Sequence, residues 1–446
     1  MHISNKTVFS FLLSGLVLTG CQTVTEKPAS FSAHNLEFTE APSADATTAT
    51  TSEPPLQHAV KTQPTDLWQV TRDHMTLDLY LDNPRVQSQL QWFSKHQKYM
   101  DRVVKRAEPY YYHILTQAIE RGIPAELALL PIVESAFDPF AYSHGRAAGA
   151  WQFIPSTGKH FGLKQNWWYD GRRDIISSTD AAYTYLAQLN KRFNGDWLLA
   201  LAAYNAGGGN VSLAIKRNKR QGKATDFWSL NLPKETMAYV PKLLAIAELI
   251  KNAEQYNLAL QPISNQPYFS AIDTHSQIDL AQAASMAGIS TKELYLLNPG
   301  FNRWATAPEG PHRLLIPVEH ADQFTQALTE LPASERVKWT RYKIKSGDSL
   351  IAIAKKFETT VGLIRKTNNI NGNSIRAGKT ILVPTASQQA SEYALSQHQR
   401  HIQKQKSISR STDRKDTYYT VKSGDSFWSI AKKHNVGVRQ LANWNS

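Results

Sequence analysis

Residues 134–158, ESAFDPFAYSHGRAAGAWQFIPSTG, decide how the rest of the chain is read. The stretch opens on a carboxylate, Glu134, which closes an apolar run. Leu127, Leu130, Pro131 and Glu134 follow the i, i+3, i+4, i+7 spacing of one helical face. The face that enters the core therefore ends in an acid. Burial disfavours an ionised carboxylate, and so does the negative end of a helix dipole. A Glu protonated near neutral pH is what general acid catalysis asks for. Asp138-Pro139 is expected to break the helix, and Gly145 and Gly149 to let backbone approach whatever lies over the acid. An ordinary helix-end Glu is the plainer reading of this residue taken alone.

The flanking chain reads as helix after helix, so residues 66–260 are expected to form a mainly α domain. Leu77, Tyr80 and Leu81, then Leu90, Trp92 and Phe93, recur at helical spacing, and Asn83-Pro84 and Glu108-Pro109 punctuate them. Tyr110, Tyr111 and Tyr112 suit packing better than a sugar groove. Gly122-Ile123-Pro124 opens the helix that carries Glu134. The mixed charges of residues 167–174 suit a loop fixed by ion pairs. Ser177 or Ser178 is expected to cap one helix and Asp196 the next, over 197–204. The triple glycine Gly207-Gly208-Gly209 reads as a terminator that also permits close approach to a ligand. No Lys-Ser pair follows it, so nucleotide binding is not supported. No His, Cys or Asp cluster has metal-ligand spacing, His144 and His160 suit the surface, and no cofactor is implied.

Four motifs in order now carry a resemblance: Glu134-Ser135, Ser143, Gly149-Ala150-Trp151-Gln152-Phe153, and Ala203-Tyr204-Asn205-Ala206-Gly207, followed by Tyr239. Together they resemble the lytic transglycosylases, over roughly residues 115–250. Ala150-Trp151 departs from the Leu-Met pair common in relatives. The resemblance implies a goose-type-lysozyme-like, all-helical catalytic domain that cleaves the MurNAc-β-1,4-GlcNAc bond of peptidoglycan without water, leaving 1,6-anhydro ends. It implies Glu134 as sole acid and then base, where most glycosidases use two carboxylates. It further implies that Ser135 and Tyr239 orient Glu134, and that Ser143, Gln152, Tyr204 and Asn205 hold the sugars. Asp138, the nearest other acid, suits a turn. A lysozyme-type hydrolase and a non-catalytic wall-binding lipoprotein are the alternatives.

The C-terminal part contains a repeat. Tyr342-Lys343-Ile344-Lys345-Ser346-Gly347-Asp348-Ser349 recurs 77 residues on (424 − 347) as Tyr419-Thr420-Val421-Lys422-Ser423-Gly424-Asp425-Ser426. A strand precedes the turn, Asp348 is placed to cap a helix over 350–357, a second helix covers 361–367, and Ile381-Leu382-Val383 closes the unit. This β-α-α-β pattern resembles a LysM module, which implies that GlcNAc-containing glycan binds beside Gly347, Asp348 and Ser349. The first copy spans 340–385, residues 386–416 read as a polar linker, and the second copy at 417–446 ends before a closing strand. A degenerate, structural copy is expected at 268–318, with a helix-helix-strand rhythm and no Ser-Gly-Asp-Ser turn.

Length, 446 residues, demands several domains, and a net charge of +13 allows any anionic polymer. The N-terminus narrows that choice. Lys6, an apolar run over 8–18 too short to span a bilayer, and Leu18-Thr19-Gly20-Cys21 resemble a signal peptide (1–20) with a lipobox. The chain's one cysteine, Cys21, is then the lipidation site and forms no disulfide. Gln22 in place of Asp implies the outer membrane, with the protein facing the periplasm. Residues 21–65, rich in Ala, Thr, Ser and Pro, read as a tether. The expected partners are peptidoglycan, which Lys343, Lys345, Lys355 and Lys356 would attract, and the membrane. Nucleic acid is not expected, and a monomer is.

Overall fold

The structure is a computed structural model that describes residues 65–143, 145–411, 419–438 and 441–442. The signal segment, Cys21, the tether and His144 lie outside the described residues. Among the described residues no helix is long and apolar enough to cross a membrane.

The chain begins with α1 (Leu67–Asp73), capped by Asp66, and α2 (Pro84–Ser94), capped by Asn83 with Pro84 in the first turn. The long helix α3 (Gln97–Glu120) runs straight through Pro109, so Glu108-Pro109 does not punctuate as expected. The apolar stripe explains why. An interior proline costs about 3 kcal/mol. Beyond it lie Tyr110, Tyr111, Ile114 and Leu115, all buried, each contributing about 1.5–3 kcal/mol on burial. Tyr110 and Tyr111 are packing residues, with their hydroxyls spent on the Leu296 carbonyl and on Thr71.

A 3-10 segment (Ala125–Leu129) follows Pro124, and only then comes α4 (Leu130–Ser135), the short helix that carries Glu134. It stops at Ala136 and Phe137, with φ of 51° and 54°, two residues before the Asp138-Pro139 break that the sequence suggested. Two left-handed residues cost about 1–2 kcal/mol each. That turn sends the Phe137 ring into the core, where it is fully buried, and this offsets the strain.

The remaining helices of the domain are α5 (Pro155–His160), α6 (Ile175–Arg192), α7 (Trp197–Ala206), α8 (Gly208–Arg220) and α9 (Lys234–Lys251). Asp174, not Ser177 or Ser178, caps α6, because its carboxylate accepts from the Ser177 N–H. Asp196 caps α7 as expected. Of the three glycines only Gly207, at φ 88°, breaks the chain; Gly208 and Gly209 begin α8. Helix α9 is buried on almost every side from Tyr239 to Ile250 and packs against α2, α4 and α7. It is the axis of the mainly α, lysozyme-like domain.

Two β-α-α-β units follow. The first is β1 (Phe269–Asp273), α10 (Leu280–Ala287), α11 (Thr291–Leu297) and β2 (Arg313–Pro317), with β1 and β2 antiparallel and Phe269 opposite Pro317. Its opening strand and the trailing α12 (Ala321–Glu330) were not visible in the sequence rhythm. The second is β3 (Lys338–Lys343), α13 (Leu350–Lys356), α14 (Val361–Thr367) and β4 (Thr380–Thr385), again an antiparallel pair. Ser349 caps α13, whereas Asp348 accepts from the Lys345 N–H and the Tyr342 hydroxyl and so ties the turn to the strand.

The polar stretch after β4 is no bare linker. It packs back along the protein and ends in α15 (Gln397–Ser411). In the second repeat, α16 (Phe427–Lys433) is capped by Ser426, and Tyr419 donates to Asp425 as Tyr342 does to Asp348. No strand occurs in that repeat among the described residues.

Candidate active site

Three helices bring the site together. Glu134 stands in the last turn of α4, Tyr204 and Asn205 in the last turn of α7, and Tyr239 in the second turn of α9. The Tyr239 hydroxyl donates to Glu134 Oε1 at 2.6 Å, a short charge-assisted geometry. Burial pushes the Glu134 carboxyl up to about 7; the Tyr239 hydrogen bond opposes the rise and the Glu235 carboxylate adds to it. Burial, reinforced by the Glu134 charge, holds the hydroxyls of Tyr239 and Tyr204 well above the ordinary phenol range, so both remain donors at any physiological pH.

Of the residues expected to hold sugar, Ser143, Gln152 and Tyr204 are themselves held by backbone and Asn205 by the Thr236 side chain. The Tyr204 hydroxyl donates to the Trp151 carbonyl at 2.9 Å. Gln152, at φ 49°, donates from Nε2 to the Gly149 carbonyl at 2.8 Å. Ser143 Oγ accepts from the Ala147 N–H at 3.0 Å, and Asn205 Oδ1 accepts from Thr236 at 2.7 Å. Each is only partly buried, so each retains polar capacity toward a ligand. Ser135 departs from expectation. Its hydroxyl bonds the carbonyls of Ala150 and Pro131, at 3.0 and 3.2 Å, and so ties α4 to the 143–153 segment instead of orienting the acid directly.

Gly149 has a different role from the one anticipated. With φ at 80°, a Cβ there would lie 2.1 Å from the Arg172 carbonyl oxygen. The close approach is to protein backbone, not to a ligand. Arg172 then braces the segment, donating to the carbonyls of Arg146 (2.6 Å) and Phe153 (3.2 Å) while Asp170 holds its other face at 2.9 and 2.8 Å. The ion pairs foreseen for residues 167–174 are therefore present, and they support the wall of the site.

Sequence reading missed Thr236 and Glu235, and it foresaw Arg172 only as part of an ion-paired loop, not as a donor to the Arg146 and Phe153 carbonyls. Thr236 carried no signal, since its value lies in a partner 31 residues away. Glu235 did carry one: it stands four residues before Tyr239 and so shares its helical face. Gly347, Asp348 and Ser349 lie in the separate β3-to-α13 turn, with Gly347 and Ser349 exposed and Asp348 half-buried. The neighbouring amide and hydroxyl donors lower the Asp348 carboxyl.

A helical lysozyme-like domain that sets a protonatable Glu against a tyrosine hydroxyl where three helices meet, followed by β-α-α-β modules, defines a glycan-cleaving enzyme of the cell wall. Family comparison agrees element by element. The transglycosylase SLT domain matches residues 114–227, the LysM-like domain of lytic transglycosylase MltD matches 268–333, and the LysM domain matches 342–384 and 419–446. The chain belongs to the membrane-bound lytic murein transglycosylase D family: it is 36% identical over 453 residues to the Escherichia coli (strain K12) protein of that name, covering 98% of this chain and 94% of that one. It is also 33% identical over 109 residues to an autolysin of Enterococcus faecalis, a span of 24% of this chain and 12% of that one. Among solved structures it matches an inactive mutant of lytic transglycosylase Slt from Pseudomonas aeruginosa, at 27% identity and a TM-score of 0.25, over 34% of this chain and 25% of that one.

Proposed function

We propose that this chain cleaves the MurNAc-β-1,4-GlcNAc bond of peptidoglycan without water. Glu134 gives its proton to the glycosidic oxygen as the bond to the anomeric carbon breaks. The carboxylate then takes a proton from the muramic 6-hydroxyl, whose oxygen closes on the same carbon to form a 1,6-anhydro ring. The proton count closes, and no co-reactant is consumed. Tyr239 holds Glu134 in position, and Ser143, Gln152, Tyr204 and Asn205 present neutral donors and acceptors to the sugars. The observation that carries this reading is a carboxyl raised to about 7 by burial and held by a single phenol at 2.6 Å. Such a group is half-protonated at neutral pH and serves both steps.

The open 342–384 module binds the glycan beside Gly347, Asp348 and Ser349, and lipid on Cys21 anchors the protein to the outer membrane. The lipobox and the family's membrane-bound member support the anchor. One observation favours a second reading, a lysozyme-type hydrolase: Glu235 is an exposed carboxylate on the face of α9 that carries Tyr239, where it could activate water. Mass spectrometry of digested sacculi separates the two. Anhydro-muropeptides are expected; reducing muropeptides would favour Glu235 and hydrolysis, and no release would leave a wall-binding protein.

A further inference from the structure

The 268–333 module sits where a glycan reader would be expected, yet its own chain fills the position at which its neighbour is open. In both modules the first helix is capped six residues after the strand ends, by Ser349 after Lys343 and by Asp279 after Asp273. Ser349 and the three residues from Lys345 to Gly347 are exposed. Asp279, in contrast, is fully buried. The Tyr393 hydroxyl donates to its two oxygens at 3.0 and 2.9 Å, and the Ser387 N–H donates at 2.9 Å. Arg336 closes the other side of the turn, donating to the Thr274 carbonyl and to Ser276 Oγ.

The opposite flank of this module is fused to the catalytic domain. Arg313 Nη2 reaches both oxygens of Asp174 at 2.8 Å, and the Arg303 guanidinium lies 3.9 Å over the Trp167 ring. Two backbone bonds, Asp170 N–H to Gly300 and Asn302 N–H to Trp168, each 2.8 Å, lock the 167–174 loop to the module. Trp168 and Tyr169 belong to the module's apolar core, not to that of their own domain.

That loop carries Arg172, which holds the Arg146 and Phe153 carbonyls and sits against Gly149. The same wall is gripped from its other end. The half-buried Arg400 guanidinium lies 4.3 Å over the Phe140 ring, and the Gln397 N–H ties the same helix to the module at the Asn302 carbonyl. The 140–153 segment is thus fixed at Phe140 from residues 386–400 and at 146, 149 and 153 from the module through Arg172.

We propose that the 268–333 module and residues 386–400 do not read glycan but act as a brace that positions the 140–153 wall of the active site. Arg313 and Arg400 are its positioning residues. The proposal rests on the reading that this wall holds the sugars. A displacement of about 1 Å in such a wall is enough to slow the chemical step by as much as a hundredfold. Contacts this dense, made by groups that never touch Glu134, would otherwise have no bearing on the reaction.

The test compares the full-length protein with Arg313→Ala, Arg400→Ala and Arg400→Lys. Turnover on purified sacculi, normalised to the folded fraction by circular dichroism, is measured beside sacculus affinity by sedimentation. Both alanine variants are expected to lose about tenfold or more in kcat with affinity for sacculi unchanged, and Arg400→Lys to recover most of it, since an ammonium can still sit over Phe140. Wild-type kcat in both alanine variants would overturn the proposal, as would loss of sacculus affinity with kcat intact, which is the signature of a glycan reader. A wild-type protein that releases no muropeptides would sink the functional reading itself, a failure distinct from either of these.

Discussion

Glu134→Gln tests the acid by two independent routes. Burial raises the Glu134 carboxyl from its ordinary 4.5 to about 7, so the native state prefers the protonated form. A carboxyl raised on folding contributes stability that is fully present below 4.5 and is lost as pH climbs through 7. Linkage converts the gap into about 2.5 kcal/mol lost between pH 5 and pH 8, because in that window the unfolded chain is ionised while the native site resists ionisation. Gln keeps the shape of the protonated acid and has no titration. The variant should therefore gain about 2–3 kcal/mol on the wild type as pH is taken from 5 to 8, with every other titrating group cancelling in the difference. Urea unfolding at both pH values measures this directly. Turnover on sacculi should meanwhile fall by at least a hundredfold, the usual range for a lost general acid. A stability difference that stays flat with pH, or that shrinks as pH rises, would refute the claim that Glu134 is held protonated by its surroundings.

Other outcomes follow from the same geometry. Tyr239→Phe removes a bond that favours the ionised carboxylate, so the pH limb assigned to Glu134 should move upward while kcat drops roughly tenfold to a hundredfold; a pH–rate profile reads both changes. Gly149→Ala places a Cβ 2.1 Å from the Arg172 carbonyl at a positive φ, and a loss of about 3 kcal/mol or more is expected in thermal unfolding. Asp348→Ala cuts the ties to Tyr342 and Lys345 that shape the exposed turn, and should weaken sedimentation with sacculi. The lowered Asp348 carboxyl means that these ties are complete above its unfolded value and are lost as pH falls through its lower folded value, so wild-type binding by this module should itself weaken in acid.

Much of the site was legible because its chemistry is local. The apolar face ending in Glu134 and the pairing of repeated Ser-Gly-Asp-Ser turns need only spacing along the chain. So did the cap at Asp196, which an Asp before an apolar run announces by itself. Readings failed where distant packing overruled a local rule. Pro109 sits inside a helix because the stripe beyond it is buried, and α4 ends early because Phe137 has a core to enter. Asp174 displaced Ser177 as a cap while also meeting Arg313, 139 residues away, which no window of sequence contains. Residues 386–400 looked like a linker because polar composition records solvation, and not the buried carboxylate that Tyr393 finds.

By itself the sequence determined the helical class, the place of Glu134 at the end of an apolar face, the order of motifs and the repeat of the Ser-Gly-Asp-Ser turn, since each depends on residues a few positions apart. Only the tertiary structure decided which groups surround Glu134 and how far its carboxyl is raised, because desolvation is set by three helices meeting. It alone decided that Ser135 ties backbone, that Gly149 makes room for Arg172, and that one module's turn is filled by its own chain. Those outcomes are contacts between segments far apart in sequence, and their energies do not exist until the chain has folded.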